Sequence, residues 1–113
     1  MSSNGKQKSF GIIGLGPVGT ILGVHLQEAG YRVMVCDADR VKINQVKNEG
    51  VRLENVIVKQ ARFSDVFNST LEMMAANPDY LVVSLKSYQV ESILNDIPEN
   101  NTSVFISAQN GID

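Results

Sequence analysis

Phe10-Gly11-Ile12-Ile13-Gly14-Leu15-Gly16-Pro17-Val18-Gly19 is the stretch whose reading decides the fold. An apolar run ends at the hexapeptide Gly14-Leu15-Gly16-Pro17-Val18-Gly19, a G-x-G-x-x-G, and a helical pattern starts inside it. Each glycine in such a motif has a mechanical reason: the first makes a tight turn off a strand, the second lets backbone approach a pyrophosphate, the third lets helix and strand pack closely. The N–H groups at the start of the helix then face the phosphates. Alone the hexapeptide is weak, because the chain has nine glycines and glycine also serves ordinary turns. Its flanks carry the reading.

Upstream, Met1 to Lys8 is polar and aperiodic, a flexible tail, and Ser9 to Ile13 reads as a buried parallel strand feeding the turn. Downstream, Val18, Ile21, Leu22, Leu26 and Ala29 fall at helical spacing, and Gly30 is the stop. Pro17 suits the first helical turn, where a missing N–H costs little. Gly19 and Gly23 share a face that can sit close to the sheet. Tyr31 to Cys36 is a second strand with Val33 and Val35 on one face, so the order is β-α-β, and Asp37 stands directly after it. Asp37 lies 18 positions beyond Gly19, close to the separation of about 20 at which an acidic side chain meets the adenosine ribose of a bound dinucleotide. A structural alternative makes Asp37 the N-cap of the next helix, a job Asp39 also suits.

The remaining chain continues the alternation. Arg40 to Glu49 reads as a short amphipathic helix ended by Gly50. Val51 to Arg62 alternates apolar and polar residues, with a turn at Glu54-Asn55, and reads as one or two short strands. Ser64-Asp65 opens a mixed segment in which Val66 to Ala76 has helical character, interrupted by Asn68, Ser69 and Thr70, and Met73 and Met74 are core filler. After the turn Asn77-Pro78-Asp79, Tyr80 to Leu85 is the clearest buried strand, with Lys86 at its carboxyl end. Ligands of open α/β sheets bind beyond the carboxyl ends of strands, so Lys86 is placed to meet one; from position alone it reads equally as a solvated lysine. Ser87 to Ile97 reads as a helix, Ser103 to Ser107 as a last strand, and Asn110-Gly111 as turn chemistry.

A chain of 113 residues with 43% hydrophobic content fits one compact domain. The expected fold class is α/β, Rossmann-like: a mostly parallel sheet with helices on both faces, occupying residues 9–113 as one dinucleotide-binding domain. A net charge of −2 with scattered Lys and Arg excludes the usual nucleic-acid surface. No apolar run approaches the roughly 18 residues of a membrane span. Cys36 is the single cysteine, so no internal disulfide forms, and the expected location is the cytoplasm. One histidine, His25, and one thiol leave no metal site expected.

Three segments together resemble the N-terminal NAD(P)-binding domain of the ketopantoate reductases (2-dehydropantoate 2-reductases): Gly14 to Gly19, Leu81-Val82-Val83-Ser84-Leu85-Lys86-Ser87-Tyr88-Gln89, and Gln109-Asn110-Gly111. The resemblance covers Phe10 to Asp113. It implies an oxidoreductase that uses a nicotinamide cofactor, usually NADPH, to reduce a 2-keto acid on the route to pantothenate. It implies that Gly14, Leu15, Gly16, Pro17, Val18 and Gly19 border the pyrophosphate, that Lys86 faces the cofactor, and that Asn110 faces the nicotinamide and substrate. The family's catalytic lysine and its helical substrate domain have no counterpart in this chain, so it contains no catalytic residue and is expected to be inactive alone. Apolar surface that such a domain would cover can also favour a homodimer.

Asp37 departs from the family, whose NADP-using members commonly carry Arg near this point. A carboxylate about 4 Å from a 2′-phosphate is repelled by a few kcal/mol at an effective dielectric near 20. Local chemistry thus favours NAD(H) and the resemblance NADP(H), unless Arg40 folds back over the adenosine pocket. Two other functions fit the same residues: a stand-alone NAD(H)-sensing regulatory module, and the first domain of another hydroxyacid or opine-type dehydrogenase.

Overall fold

The computed structural model describes residues 8–54, 58–63, 65–85, 90, 93–99 and 101–107. Chain order is β1 (Ser9–Ile13), α1 (Pro17–Glu28), β2 (Arg32–Cys36), α2 (Arg40–Glu49), β3 (Val51–Glu54), β4 (Val58–Ala61), β5 (Asp65–Phe67), α3 (Thr70–Met74), β6 (Tyr80–Val83) and β7 (Val104–Ser107). Five strands form a parallel sheet in the order β5-β2-β1-β6-β7, while β3 and β4 pair as a separate antiparallel hairpin. With the hairpin set aside, the chain runs outward from β1 through β2 to β5, then returns to the other side of β1 for β6 and β7. That reversal places the switch point between β1 and β6, whose carboxyl ends open a crevice for a ligand.

The period-2 alternation of a strand divides each central strand between two cores. Ile12, Val33, Val35 and Val82 face Val24 of α1 and Ile43 and Val46 of α2. Ile13, Met34, Cys36, Leu81 and Val83 face Met73 and Met74 of α3, with Val90, Ile93 and Ile97 packed on the same side. Helices therefore cover both faces, as the α/β reading requires. Met73 is fully buried, in keeping with its reading as core filler.

At the amino end of the sheet, Asp79 holds strand starts together. Its carboxylate accepts from the Ser9 N–H at 2.8 Å and the Ser9 hydroxyl at 3.1 Å, while its own carbonyl accepts from the Val104 N–H at 2.9 Å. Ser103, expected as the first residue of the last strand, instead donates its hydroxyl to the Pro78 carbonyl.

The segment after the hairpin departs from the sequence reading. Val66 and Phe67 belong to strand β5, paired with Val35 and Cys36, and the helix occupies only Thr70–Met74. The residues read as interruptions are its start: Ser69 is the N-cap and accepts from the Glu72 N–H at 3.4 Å. The strand expected to Leu85 ends at Val83, although Ser84 still donates to the Ile13 carbonyl at 2.9 Å. Of the one or two short strands expected at Val51 to Arg62, two are present; the turn read at Glu54-Asn55 falls partly outside the described residues.

Cys36 closes β2 and is buried beside Thr70 Oγ1, 3.7 Å from its sulfur. Burial pushes its thiol up from 9.0 to about 11. The unfolded chain thus releases this proton first, so the thiol's contribution to stability is intact below about pH 9 and is lost as pH rises from there through about 11. At pH 8 the native protein is expected to react with a thiol reagent at least about a hundredfold more slowly than the denatured chain, because reaction awaits opening of the core. Stopped-time labelling read by mass spectrometry checks this.

Candidate functional site

Gly14 leaves β1 at φ +100°, a conformation L side chains rarely adopt, and a Cβ there would collide with the Ser84 carbonyl oxygen. Gly19 sits in the first turn of α1, where a Cβ would collide with the carbonyl oxygen of Gly14. Gly14 and Gly19 are therefore required by the protein's own packing: strand end, helix start and the end of β6 are in contact there. Gly16 differs. It is extended (φ −75°, ψ −171°), and a Cβ on it would meet no atom of the described residues within 4 Å. Nothing among the described residues demands glycine at this position, whereas a ligand laid over the turn would.

The turn is held rigid around Leu15, which is buried with 4% exposure. The Leu15 N–H donates to Asp37 Oδ2 at 2.8 Å, and its carbonyl accepts from Lys42 Nζ at 3.3 Å and Thr20 Oγ1 at 3.3 Å. Gly14 in turn donates to the Cys36 carbonyl at 2.8 Å. Pro17 is the first helical residue and has no N–H to satisfy, and no side chain caps α1. The N–H groups of Gly16, Val18 and Gly19 have no acceptor among the described residues. A helix start with unpaired donors and the positive end of its dipole is suited to an anion.

Asp37 serves neither as the helix N-cap nor as a free side chain. Asp39 caps α2, accepting from the Lys42 N–H at 3.1 Å. Asp37 instead ties the end of β2 to the turn: besides Leu15, its Oδ1 accepts from the Asp39 N–H at 2.8 Å, and Lys42 Nζ lies 3.6 Å from Oδ2. Asn68 supports the same corner by donating its amide to the carbonyls of Asp37 at 2.9 Å and Ala38 at 3.2 Å. The cation that meets Asp37 is thus Lys42; Arg40, the one considered from sequence, is an exposed first residue of α2.

The structure brings Gly14, Leu15, Gly16, Pro17, Val18, Gly19 and Asp37 together at the carboxyl ends of β1 and β2. Lys86 and Asn110 lie outside the described residues, as do Ser87, Tyr88, Gln89, Gln109 and Gly111. Lys42, Asn68 and Thr20 were not singled out from sequence. For Lys42 a signal existed: as the third residue after the cap Asp39, its side chain leans back toward the helix start and hence toward Asp37. Among the described residues no cluster of His, Cys, Asp and Glu is arranged to hold a metal. No helix among them is long and apolar enough to cross a membrane.

A parallel sheet in this order, with a glycine turn between its first strand and first helix, defines a Rossmann-like α/β fold. Residues 10–113 match the family described as ketopantoate reductase PanE/ApbA. The chain belongs to that family. Among solved structures, it is similar to a 2-dehydropantoate 2-reductase from Methylococcus capsulatus (TM-score 0.76, 23% identity, 93% of this chain and 34% of that one). It is also similar to a probable 2-dehydropantoate 2-reductase from Bacillus subtilis (TM-score 0.76, 26% identity, 91% and 34%). A third is a D-mandelate dehydrogenase solved with NADH and anilino(oxo)acetate (TM-score 0.77, 24% identity, 93% and 34%). The chain therefore spans about a third of the length of each of these structures. A search of the curated proteins finds no match.

Proposed function

We propose that this chain is the cofactor-binding domain of a ketopantoate-reductase-like oxidoreductase and binds a nicotinamide dinucleotide across the carboxyl ends of β1, β2 and β6. The observation that carries the reading is Gly16, where nothing among the described residues calls for glycine, at a helix start with no side-chain cap and with neighbouring N–H groups that have no acceptor among those residues. The donor set fits a pyrophosphate, and Asp37 and Lys42 border the adenosine end. When bound, the dinucleotide supplies the hydride that turns a 2-keto acid into the hydroxy acid. This chain's residues bind and orient: the turn receives the phosphates, and the Asp37–Leu15 bond fixes the turn before the ligand arrives, which lowers the ordering cost of binding. By family resemblance Lys86 would face the cofactor and Asn110 the nicotinamide and substrate. Because the chain spans about a third of the length of its solved relatives, binding rather than turnover is the quantity to test.

Titrating NADH and NADPH into the protein, followed by nicotinamide fluorescence, tests this. Saturable binding of at least one is expected, and no binding of either at millimolar concentration overturns the reading.

A second reading, another 2-hydroxyacid dehydrogenase with the same first domain, is favoured by the likeness to D-mandelate dehydrogenase. Keto-acid screening with a protein that also carries a substrate domain separates the two.

A further inference from the structure

We propose that Lys42 decides how this site treats the 2′ position of the adenosine ribose, making it accept a 2′-phosphate despite Asp37; this rests on the dinucleotide reading above. A carboxylate after β2 normally grips the ribose hydroxyls and repels a phosphate. Here that carboxylate is already engaged. Oδ2 accepts from the Leu15 N–H and Oδ1 from the Asp39 N–H, each at 2.8 Å, and its charge faces Lys42 Nζ at 3.6 Å. A carboxylate has about four lone-pair sites, and these partners use several of them, so Asp37 works chiefly as the buckle of the glycine turn.

Exposure points the same way. The Asp37 side chain is 14% exposed and that of Lys42 is 39% exposed, so a group arriving from solvent meets the lysine more readily than the acid. Lys42 is anchored by the Leu15 carbonyl at 3.3 Å, yet an ammonium has three donors and one remains for a phosphate oxygen. It stands one turn into α2, on the side of the helix start that faces the end of β2, next to where the adenosine ribose would lie. Its positive charge cancels that of Asp37 and adds attraction for a 2′-phosphate while offering a ribose hydroxyl little.

The test compares NADH and NADPH affinities for the wild type, Lys42→Met, Lys42→Arg, and Lys47→Met, which removes the same charge from the exposed last turn of α2. Lys42→Met is expected to weaken NADPH about tenfold, the effect of one unscreened charge contact, and NADH by less than about twofold. Lys42→Arg should retain NADPH, and Lys47→Met should alter neither. Melting curves of the free proteins report whether each variant is folded. Equal weakening of both cofactors by Lys42→Met, no weakening of either, or failure of Lys42→Arg to retain NADPH overturns the role of Lys42 while leaving the dinucleotide site standing. A wild type that binds neither cofactor overturns both readings.

Discussion

Gly19→Ala is expected to destabilise the fold by about 3 kcal/mol or more, the upper range for overpacking, lowering the melting temperature by roughly 12 °C or more. Helix propensity alone argues the other way, since alanine is favoured over glycine in a helix by about 1 kcal/mol. Contact decides the sign. The added methyl would collide with the Gly14 carbonyl oxygen, a backbone atom, and Ser84 Cβ stands 3.2 Å from the same point. Gly14 is held by its bond to the Cys36 carbonyl and Leu15 by Asp37, so the turn cannot yield without breaking them. Thermal melting followed by circular dichroism checks the result; a melt at or above the wild-type temperature would show that helix and strand do not approach as closely as described.

Gly16→Asp separates binding from stability in the opposite direction. A Cβ at Gly16 meets open space, its backbone is extended, and Asp is among the best N-cap residues, so α1 gains a cap it lacks. The melting temperature is expected to stay unchanged or rise. On the proposed function the same carboxylate would lie in the path of the pyrophosphate, and NADH affinity is expected to fall at least about a hundredfold, or 2.7 kcal/mol. On that proposal two glycines three residues apart answer to different demands, one from the fold and one from the ligand. Fluorescence titration beside the melting curve measures both quantities, and retained NADH affinity would remove Gly16 from the site.

The central architecture was legible because each element announces itself locally. Ser9 to Ile13 is an apolar run ended by a glycine, and the helix after it starts at Pro17 and packs Val24, Leu22 and Leu26 in the core of Val33 and Val35, although Ile21 and Ala29 of the expected stripe are exposed. Asp65 to Phe67 was not legible as a strand. Three residues carry too little pattern, and what makes them a strand is pairing with Met34, Val35 and Cys36, some 31 positions earlier in the chain. The interruption at Asn68 and Ser69 was visible but pointed the wrong way, for it marks a helix start rather than a flaw within one.

Of the candidate site, the meeting of Asp37 with the glycine turn was legible, but not the bonds that make it. Spacing brought Asp37 to the glycine turn, yet sequence could not say that its oxygens would bond backbone N–H groups of Leu15 and Asp39. Choosing between Arg40 and Lys42, two cations two positions apart on one short helix, required knowing which of Asp37 and Asp39 caps it. The cap at Asp39 fixes the helix start and so settles which of them leans toward β2.

The claim that the turn at Gly14 to Gly19 receives a dinucleotide is tested most directly by following backbone amide resonances of the labelled protein while NADH is added. The account predicts saturable shifts that are largest at Gly16, Val18, Gly19 and Thr20, with smaller ones at Leu15 and Asp37. Saturable shifts centred elsewhere, such as the β3–β4 hairpin, or none at millimolar NADH, would contradict it.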